Sequence, residues 1–570
     1  MEANSSARMQ ESQTTQAETA ARQTSTRESA GLFPGLRIVS LCTLLSRVLG
    51  LIRDIGMAML FGNGVVMDAF SVAFRIPNLS RRLFGEGALT TAFLPVFIRE
   101  MEQENQASAW KLVSAVLTLL AVMLCCLVLL GELLLWGASV VWQIGTEAKL
   151  LIGLTAVMLP YLILICLAAQ VSAVLHAFSR FTWPALLPSV LNLVWIAAIC
   201  WFAPWRETES AWKEQSAQVY FIAGSILVGG CLQLLVLLPT LFRLGFRYDV
   251  AWRPALSKVT QIGKAMLPIM IGLSVTQVNV IADSLIAWGF SQPEGGPLNM
   301  KLPGSPQYPV MAGTASALYY GQRMYQFPVG VFGVALGTVL FPLLSRHAER
   351  GRLDKVRDDL SLGLRLVICI GLPASAGLVL LAGPLTALLF QHGAFDAEDT
   401  QQTVGMISAY GAAVWAYCGL LIVHRGYYAV GDRQTPLRVG LVAVVLNLVL
   451  NLTLIWFVGG RGLAMATAFS AIVQVTIVTA LLQSRIGGLD WQAFRHTLFR
   501  AIAATLAMSA VCLGVLNQFE PGESLTQRLL QMLVPLTASM LTYFAVAKIL
   551  GMTEVWLLFR RDQQSMKEDD

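Results

Sequence analysis

From about residue 36 onward, apolar runs follow one another along the chain, separated only by short stretches that hold charges, Gly or Pro. A helix needs about twenty apolar residues to cross the hydrocarbon of a bilayer. Fourteen runs approach or exceed that length, at approximately 36–61, 68–98, 111–136, 150–176, 184–203, 218–241, 264–290, 313–345, 362–389, 402–424, 436–458, 462–483, 497–516 and 528–550. The pattern predicts an all-α polytopic membrane protein with about fourteen transmembrane helices. The first, second and eighth runs are interrupted by charges, Gly or Pro, which lipid-facing helices ordinarily avoid. Residues 1–35 are polar and lack an apolar core, so they read as a disordered tail rather than a signal peptide.

The distribution of cations orients these segments. Alternate connections, beginning after the second run and ending in the C-terminal tail, hold 23 Lys and Arg, from Arg99 to Lys567. The opposite set holds six: Lys149, Arg206, Lys213, Lys301, Arg461 and Arg528. Cytoplasmic connections carry the excess of positive charge. Both termini are therefore expected in the cytoplasm, with residues 551–570 as a second cytoplasmic tail.

The chain also repeats itself. Ala88-Leu89-Thr90-Thr91-Ala92-Phe93-Leu94-Pro95 aligns with Ala335-Leu336-Gly337-Thr338-Val339-Leu340-Phe341-Pro342 at an offset of 247, and Arg75 with Arg323 at 248. Farther on, Ala177 and Pro184 match Ala429 and Pro436, and Asn192-Leu193-Val194 matches Asn447-Leu448-Val449. Slowly growing offsets are what a duplicated unit with small loop insertions gives. Six helices per unit make the repeats parallel, an arrangement in which transporters bind substrate between the halves and rock. The expected layout is an N-terminal lobe over 36–245 (helices 1–6), a C-terminal lobe over 246–490 (helices 7–12), and helices 13–14 over 491–550.

Composition narrows the chemistry. The 570 residues are 56% hydrophobic and 13% charged, with a net charge of +6, and the mean hydropathy is +0.64. So small a charge excess does not suggest a nucleic-acid partner. The nine cysteines lie inside apolar runs without a CxxC pair or a Cys/His cluster, so neither disulfides nor structural zinc are expected. No GxxxxGK[ST] phosphate loop occurs, and none of the five histidines accompanies a Ser or Cys nucleophile in a catalytic motif. The chain is not expected to be an enzyme.

Charge inside the membrane is where function is expected. The first two runs contain Ser46-Arg47-Val48-Leu49-Gly50-Leu51-Ile52-Arg53-Asp54, then Asp68-Ala69-Phe70, then Phe74-Arg75-Ile76-Pro77-Asn78-Leu79-Ser80-Arg81-Arg82-Leu83-Phe84-Gly85-Glu86-Gly87. An intramembrane charge costs at least ~2.5–3.5 kcal/mol at mid-bilayer, so these residues must face protein or a water-filled cavity. At 100° per residue, Asp68, Arg75, Arg82 and Glu86 share one helical face within about 40°. Asn78 flanks that stripe and Arg81 points away, unless Pro77, Gly85 and Gly87 redirect the helix. Five arginines against three acids leave positive charge to be neutralised, and in the second half Arg323 is the clear intramembrane cation. A guanidinium with five donors suits phosphate oxygens. The predicted substrate is anionic, most simply a phosphate or diphosphate.

These motifs resemble the MurJ/MviN lipid II flippases of bacterial cell-wall synthesis, members of the multidrug/oligosaccharidyl-lipid/polysaccharide exporter superfamily. The segment Phe327-Pro328-Val329-Gly330-Val331-Phe332-Gly333-Val334-Ala335-Leu336-Gly337-Thr338 and Thr435-Pro436 agree as well. The resemblance implies a multi-pass protein of the bacterial cytoplasmic (inner) membrane. It would move lipid II, an undecaprenyl-diphosphate muropeptide, from the inner to the outer leaflet by alternating access. It implies that Arg47, Arg53, Arg81 and Arg323 bind the lipid diphosphate, with Arg75 and Asn78 beside them. Ser46, Asp54, Asp68, Arg82 and Glu86 would support them or act as gate partners, and helices 13–14 would form a groove for the lipid tail. The expected partners are lipid II, membrane lipids and the cell-wall synthesis machinery. Gln322 and Gln326 stand where part of the family has acids, which departs from any ion-pair gate beside Arg323.

A second constellation comprises Asp283 in the seventh run with Asn447, Asn451 and Thr467 in the eleventh and twelfth. Helix–helix hydrogen bonding accounts for it, and so does a site for Na+ as coupling ion, which takes hard oxygen ligands. Some family members have a similar arrangement, with a backbone carbonyl near Leu463 and an acid where Asn451 stands. Two further functions share the charge logic or the superfamily: a flippase for another polyprenyl-diphosphate oligosaccharide, and a cation-coupled drug antiporter. The antiporter would want acids, not surplus arginines, in its cavity.

Overall fold

A computed structural model describes residue 39 and residues 41–557, apart from 82–83, 85–87, 142–144, 203–211, 252, 293–306, 521 and 523. The predicted N-terminal tail, residues 558–570 of the C-terminal one, most of the 291–312 loop, Arg82 and Glu86 lie outside the described residues. Helix α1 covers residues 41–61. It is followed by α2 (Val65–Ser80), α3 (Ala88–Gln103), α4 (Gln106–Val141), α5 (Thr146–Met158), α6 (Tyr161–Ala177), α7 (Thr182–Phe202) and α8 (Trp212–Arg243). The second half has α9 (Leu256–Gly289), α10 (Thr314–Pro328), α11 (Val334–Glu349), α12 (Leu353–Leu380), α13 (Ala382–Leu389), α14 (Ala397–Gly411), α15 (Val414–Ala429), α16 (Gln434–Val458) and α17 (Arg461–Gln483). Helices α18 (Trp491–Leu516), α19 (Leu525–Ile549) and the short α20 (Thr553–Leu557) close the chain.

At its described residues, each of the fourteen predicted runs is helical, singly or as a broken pair. Among the described residues, ten helices are long and apolar enough to cross a membrane, or eleven if the bent pair α14–α15 is one span. The runs that fall short are the first, second and seventh. These carry the polar residues singled out above, so length and apolarity alone do not establish fourteen crossings. Chemistry displaces hydropathy where the helices face one another instead of lipid.

The repeat has a structural counterpart. The second run is π-helical at 81 and 84, and the eighth is π-helical over Val329–Gly333. At the offset of 248 that aligns Arg75 with Arg323, residue 81 falls on 329. A π turn inserts an extra residue into the helical ladder and shifts every side chain beyond it, and such turns gather at functional sites. Both halves thus depart from α-helical geometry at equivalent positions of the same helix.

The two ends of the bundle differ. At the end opposite the cation-rich connections, one continuous apolar core joins the halves, with Met57 and Phe61 of α1 in the same cluster as Tyr320, Phe390 and Phe395. Toward the cation-rich end, Leu340, Leu360, Ile422 and Val478 form a core of the second half alone. Helix α9 bridges them, packing on α3 and α4 as well as on α16.

At the cation-rich end, Glu100 of α3, past the second apolar run, accepts from Lys258 of α9 at 2.5 and 2.6 Å, and from the Ser108 hydroxyl. Burial pushes the Glu100 carboxyl up, but the Lys258 and Ser108 bonds outweigh it and hold it below the usual range. A depressed carboxyl stabilises the fold above its unfolded-state pKa and stops doing so as pH falls through the folded value. Lys258→Ala is expected to cost about 1–2 kcal/mol at neutral pH, between exposed and buried pairs. Thermal unfolding in detergent at pH 7 and at pH 3 checks this: the difference between the two proteins should shrink in acid.

Candidate functional site

Arg53 and Asp54 lie mid-way along α1, with only 5% and 3% of their surfaces exposed. A charge buried so deeply persists only if paired and hydrogen-bonded, and both are. Arg53 Nη2 lies 2.6 Å from Asp54 Oδ1, and Nη1 donates to Asn192 Oδ1 of α7 at 2.9 Å. Nη2 also donates to the Tyr319 hydroxyl of α10 at 3.2 Å, and the guanidinium stacks over Trp195 at 4.4 Å. From the other half, Arg323 Nε approaches Asp54 Oδ2 at 3.3 Å, and its Nη2 donates to Tyr319 at 3.1 Å. One carboxylate therefore serves two guanidinium groups, leaving a net charge of +1. Arg53 is spent on protein partners, whereas the Arg323 side chain is 38% exposed.

That exposure faces a cavity of about 1680 Å³ between the halves. Arg53, Asp54 and Arg323 form its roof, and its walls descend past Arg47 and Ser46 to Val39 of α1 and Phe181 before α7, at the cation-rich end. Asn78 and Arg81 line it too: Arg81 keeps the α-helical bond from its N–H to the Pro77 carbonyl, pointing away from the Asp68–Arg75 face, and its Nε lies 3.3 Å from Asn78 Oδ1. Arg47 packs its guanidinium against the π turn of the second half, since a Cβ on Gly330 would stand 2.6 Å from Arg47 Nη1. Beyond Arg323 the same cavity runs on as an apolar groove between α12–α13 and α19, past Pro373, Leu381, Leu536 and Met540.

Of the stripe, only Asp68 and Arg75 are described, and Arg75, expected beside the diphosphate-binding arginines, is not there. Asp68 and Arg75 share a face of α2, but that face meets the second half. Asp68 accepts from the backbone N–H of Gly313 at 2.9 Å and of Ser316 at 2.6 Å, capping α10. Arg75 is 8% exposed and donates from Nη1 to the Val280 carbonyl of α9 at 2.9 Å. It does not line the cavity. Gln322 donates to the Tyr410 hydroxyl at 3.3 Å, while Gln326 reaches the cavity wall.

Sequence reasoning passed over several participants. Asn192 binds Arg53 and donates to the Ser46 carbonyl at 3.0 Å; an Asn inside an apolar run that repeats as Asn447 was its signal. Tyr319 and Trp195 have no such mark. Neither does the seal at the opposite end. There Asn63 donates to the Asp399 carbonyl at 3.1 Å and to Thr403 at 2.8 Å, and its N–H reaches Asp399 Oδ2 at 3.0 Å. The backbone N–H of Ala394 donates to the Met59 carbonyl at 2.9 Å. Gly62, Gly313 and Gly393 all have positive φ, and a Cβ on any of them would strike the backbone of the other half.

The second constellation does come together. Asp283 Oδ1 accepts from Asn451 at 2.6 Å, and Thr467 Oγ1 lies 3.0 Å from Asp283 Oδ2 and 3.2 Å from the Leu463 carbonyl. The Asn447 amide sits 3.0 Å from Asn451 Nδ2 and 3.1 Å from Thr467 Oγ1. The cluster is almost wholly buried, and Asn451 Oδ1 has no hydrogen-bond partner among the described residues. One carboxylate, amide oxygens, a hydroxyl and a carbonyl fit a hard monovalent cation, and the orphaned oxygen is a vacant acceptor for one.

A family model described as "Lipid II flippase MurJ" matches residues 57–534. The chain is 33% identical over 494 residues to a probable lipid II flippase MurJ of Vibrio cholerae, covering 84% of this chain and 87% of that one. It is 30% identical over 533 residues to its counterpart from Rhizobium tropici, covering 91% and 94%. Among solved structures, an inward closed conformation of lipid II flippase MurJ superposes with a TM-score of 0.71 at 22% identity, over 91% of this chain and 99% of that one. An inward-facing multidrug-resistance MATE transporter of the MOP superfamily shares the fold at a TM-score of 0.62 and 12% identity, over 79% and 98%. The matched span takes in most of the cavity-lining helices and the seal at the opposite end, and on these grounds the chain belongs to the MurJ lipid II flippase family.

Proposed function

We propose that this protein flips lipid II from the inner to the outer leaflet of the bacterial cytoplasmic membrane. The observation that carries this reading is a roof of two guanidinium groups sharing one carboxylate, over a cavity that continues into an apolar groove. A lipid diphosphate presents both parts: an anionic headgroup needing charge-assisted donors, and a polyprenyl chain that stays in hydrocarbon. The diphosphate enters from the cation-rich, cytoplasmic end and takes donors from Arg47, Arg81 and Arg323. Arg323 exchanges Asp54 for phosphate oxygens, which loosens the ionic tie at the roof between α1 and α10. Arg53 keeps Asp54 neutralised while this happens. The N-terminal lobe (36–245) then rocks against the C-terminal lobe (246–490), the seal around Asn63 and Asp399 parts, and the headgroup leaves outward. Both termini are cytoplasmic, and the groove beside α18–α19 guides the tail.

Na+ is the proposed coupling ion, held by Asp283, Asn447, Asn451, Thr467 and the Leu463 carbonyl. When bound it would supply a charge that senses the membrane potential. The cell-wall synthesis machinery is the proposed consumer of the flipped lipid. Depleting the native flippase and restoring this chain should return outer-leaflet lipid II to its normal level. If lipid II remains inside while the protein is folded in the membrane, or another polyprenyl-diphosphate sugar is moved in its place, the substrate reading fails.

A further inference from the structure

The two polar clusters are images of each other under the internal repeat. Asn192 and Asn447 align at an offset of 255, and Arg75 and Arg323 at 248. Before the long 290–313 connection the offset is smaller. Ile52, Asp54 and Ala58 fall on Ile281, Asp283 and Ala287 at 229. The step between the two offsets is accounted for by the connection between α9 and α10, which is longer than that between α1 and α2 by about that amount. Asp54 thus corresponds to Asp283, Asn192 to Asn447, and Arg323 to Arg75.

The contacts repeat along with the residues. Helix α10 brings Arg323 to Asp54 on α1, and α2 brings Arg75 to α9, where its Val280 anchor lies one turn from Asp283. Arg75 is the cation whose field acts on Asp283. Two differences stand out. Arg53, which fills the space between Asp54 and Asn192, has Ala282 as its counterpart, so the second cluster has no tethered guanidinium of its own. Arg75 also stops short of Asp283: its Nε and Nη2 have no hydrogen-bond partner among the described residues, although the residue is more than nine-tenths buried. A buried guanidinium with two idle donors is costly unless a state exists that uses them.

We propose that Arg75 is the counter-charge of Asp283 and competes with a monovalent cation for it, the cation standing where Arg53 stands in the first half. With the cluster empty, Arg75 closes on Asp283 as Arg323 does on Asp54. With a cation bound, Arg75 is held back at Val280. The inference rests on the cation reading above, and deepens it by naming the residue that opposes binding.

The test uses the full chain in detergent, with thermal unfolding followed against Na+ at constant ionic strength, choline replacing Na+. A cation bound only by the folded state raises the midpoint as its concentration rises. The wild-type midpoint is expected to climb with Na+, and that of Asp283→Asn to stay flat. Arg75→Gln should half-saturate at a Na+ concentration at least fivefold lower than wild type, and Arg75→Lys should restore the weaker response. A half-saturation for Arg75→Gln within twofold of a responsive wild type overturns the role of Arg75 and leaves the cation site standing. A wild type indifferent to Na+ removes the cation site and this proposal together. Should Arg75→Gln not fold, Arg75→Gln/Asp283→Asn is expected to recover, because removing both charges leaves neither uncompensated. Failure of that pair to recover overturns the counter-charge assignment.

Discussion

Replacing Arg323 by Ala is expected to yield a protein that folds, reaches the membrane and does not flip lipid. Arg323 is the roof guanidinium with surface to spare for substrate, while Asp54 retains Arg53 at 2.6 Å and Tyr319 at 2.9 Å when Arg323 is gone. Losing a charged hydrogen-bonding group costs about 3 kcal/mol at the upper end. That is roughly a hundredfold in affinity. Arg53→Ala is a different lesion. It strips Asp54, Asn192 and Tyr319 of their shared partner and leaves a carboxylate of 3% exposure with only the longer 3.3 Å contact to the partly exposed Arg323. Such a break costs about 3–5 kcal/mol, so this variant should lose stability along with function. Lipid II exposure on the outer leaflet and the thermal midpoint, measured on both proteins, separate the two. Normal flipping by a well-folded Arg323→Ala protein would remove Arg323 from the site.

A single methyl group at Gly313 is expected to open the seal at the opposite end. Gly313 has φ +83°, and a Cβ there would collide with the backbone carbonyl of Asn63 from the other half. The left-handed conformation alone costs an Ala about 1–2 kcal/mol. Gly351 is the control, because its φ is +69° but nothing stands within 4 Å of its would-be Cβ. The difference between Gly313→Ala and Gly351→Ala therefore isolates the contact between the halves from the strain of the turn. In a background freed of the nine native cysteines, Ala394→Cys reports on the seal through labelling by an impermeant maleimide. Gly313→Ala should raise that labelling several-fold and abolish growth support, while Gly351→Ala should change neither. Equal labelling in both would show that the glycines serve turn geometry only.

Hydropathy and charge were enough to expect a helical membrane protein with a cationic cavity, because each is a property of residues near one another in the chain. A run of apolar residues must be buried in something, and a membrane Arg must meet an anion or water, whatever the fold. The motif around Ser46–Asp54 and the segment from Pro77 to Arg81 fall on helices that line the cavity for the same reason. Helical periodicity held at Arg81, which points away from the Asp68–Arg75 face and lines the cavity, but periodicity alone does not say which face meets the cavity and which meets the second half.

Partners more than a hundred residues apart were settled by packing alone. Arg75 and Arg323 occupy equivalent places in the two repeats, and nothing in either segment says that one will face substrate and the other a cluster of amides. The asymmetry arises because Arg53 has no counterpart at Ala282, so the same helix pair encloses a guanidinium in one half and a gap in the other. Asp68 reads in sequence as a supporting or gate acid, and which partner it takes, two backbone N–H groups at the start of α10, is set only once the halves are docked. Which residues cannot lie in lipid follows from their own side-chain chemistry. The tertiary structure decided what each of them meets instead, because a buried charge takes the nearest compensating group in space, and nearness in space between helices is written in no local stretch of chain.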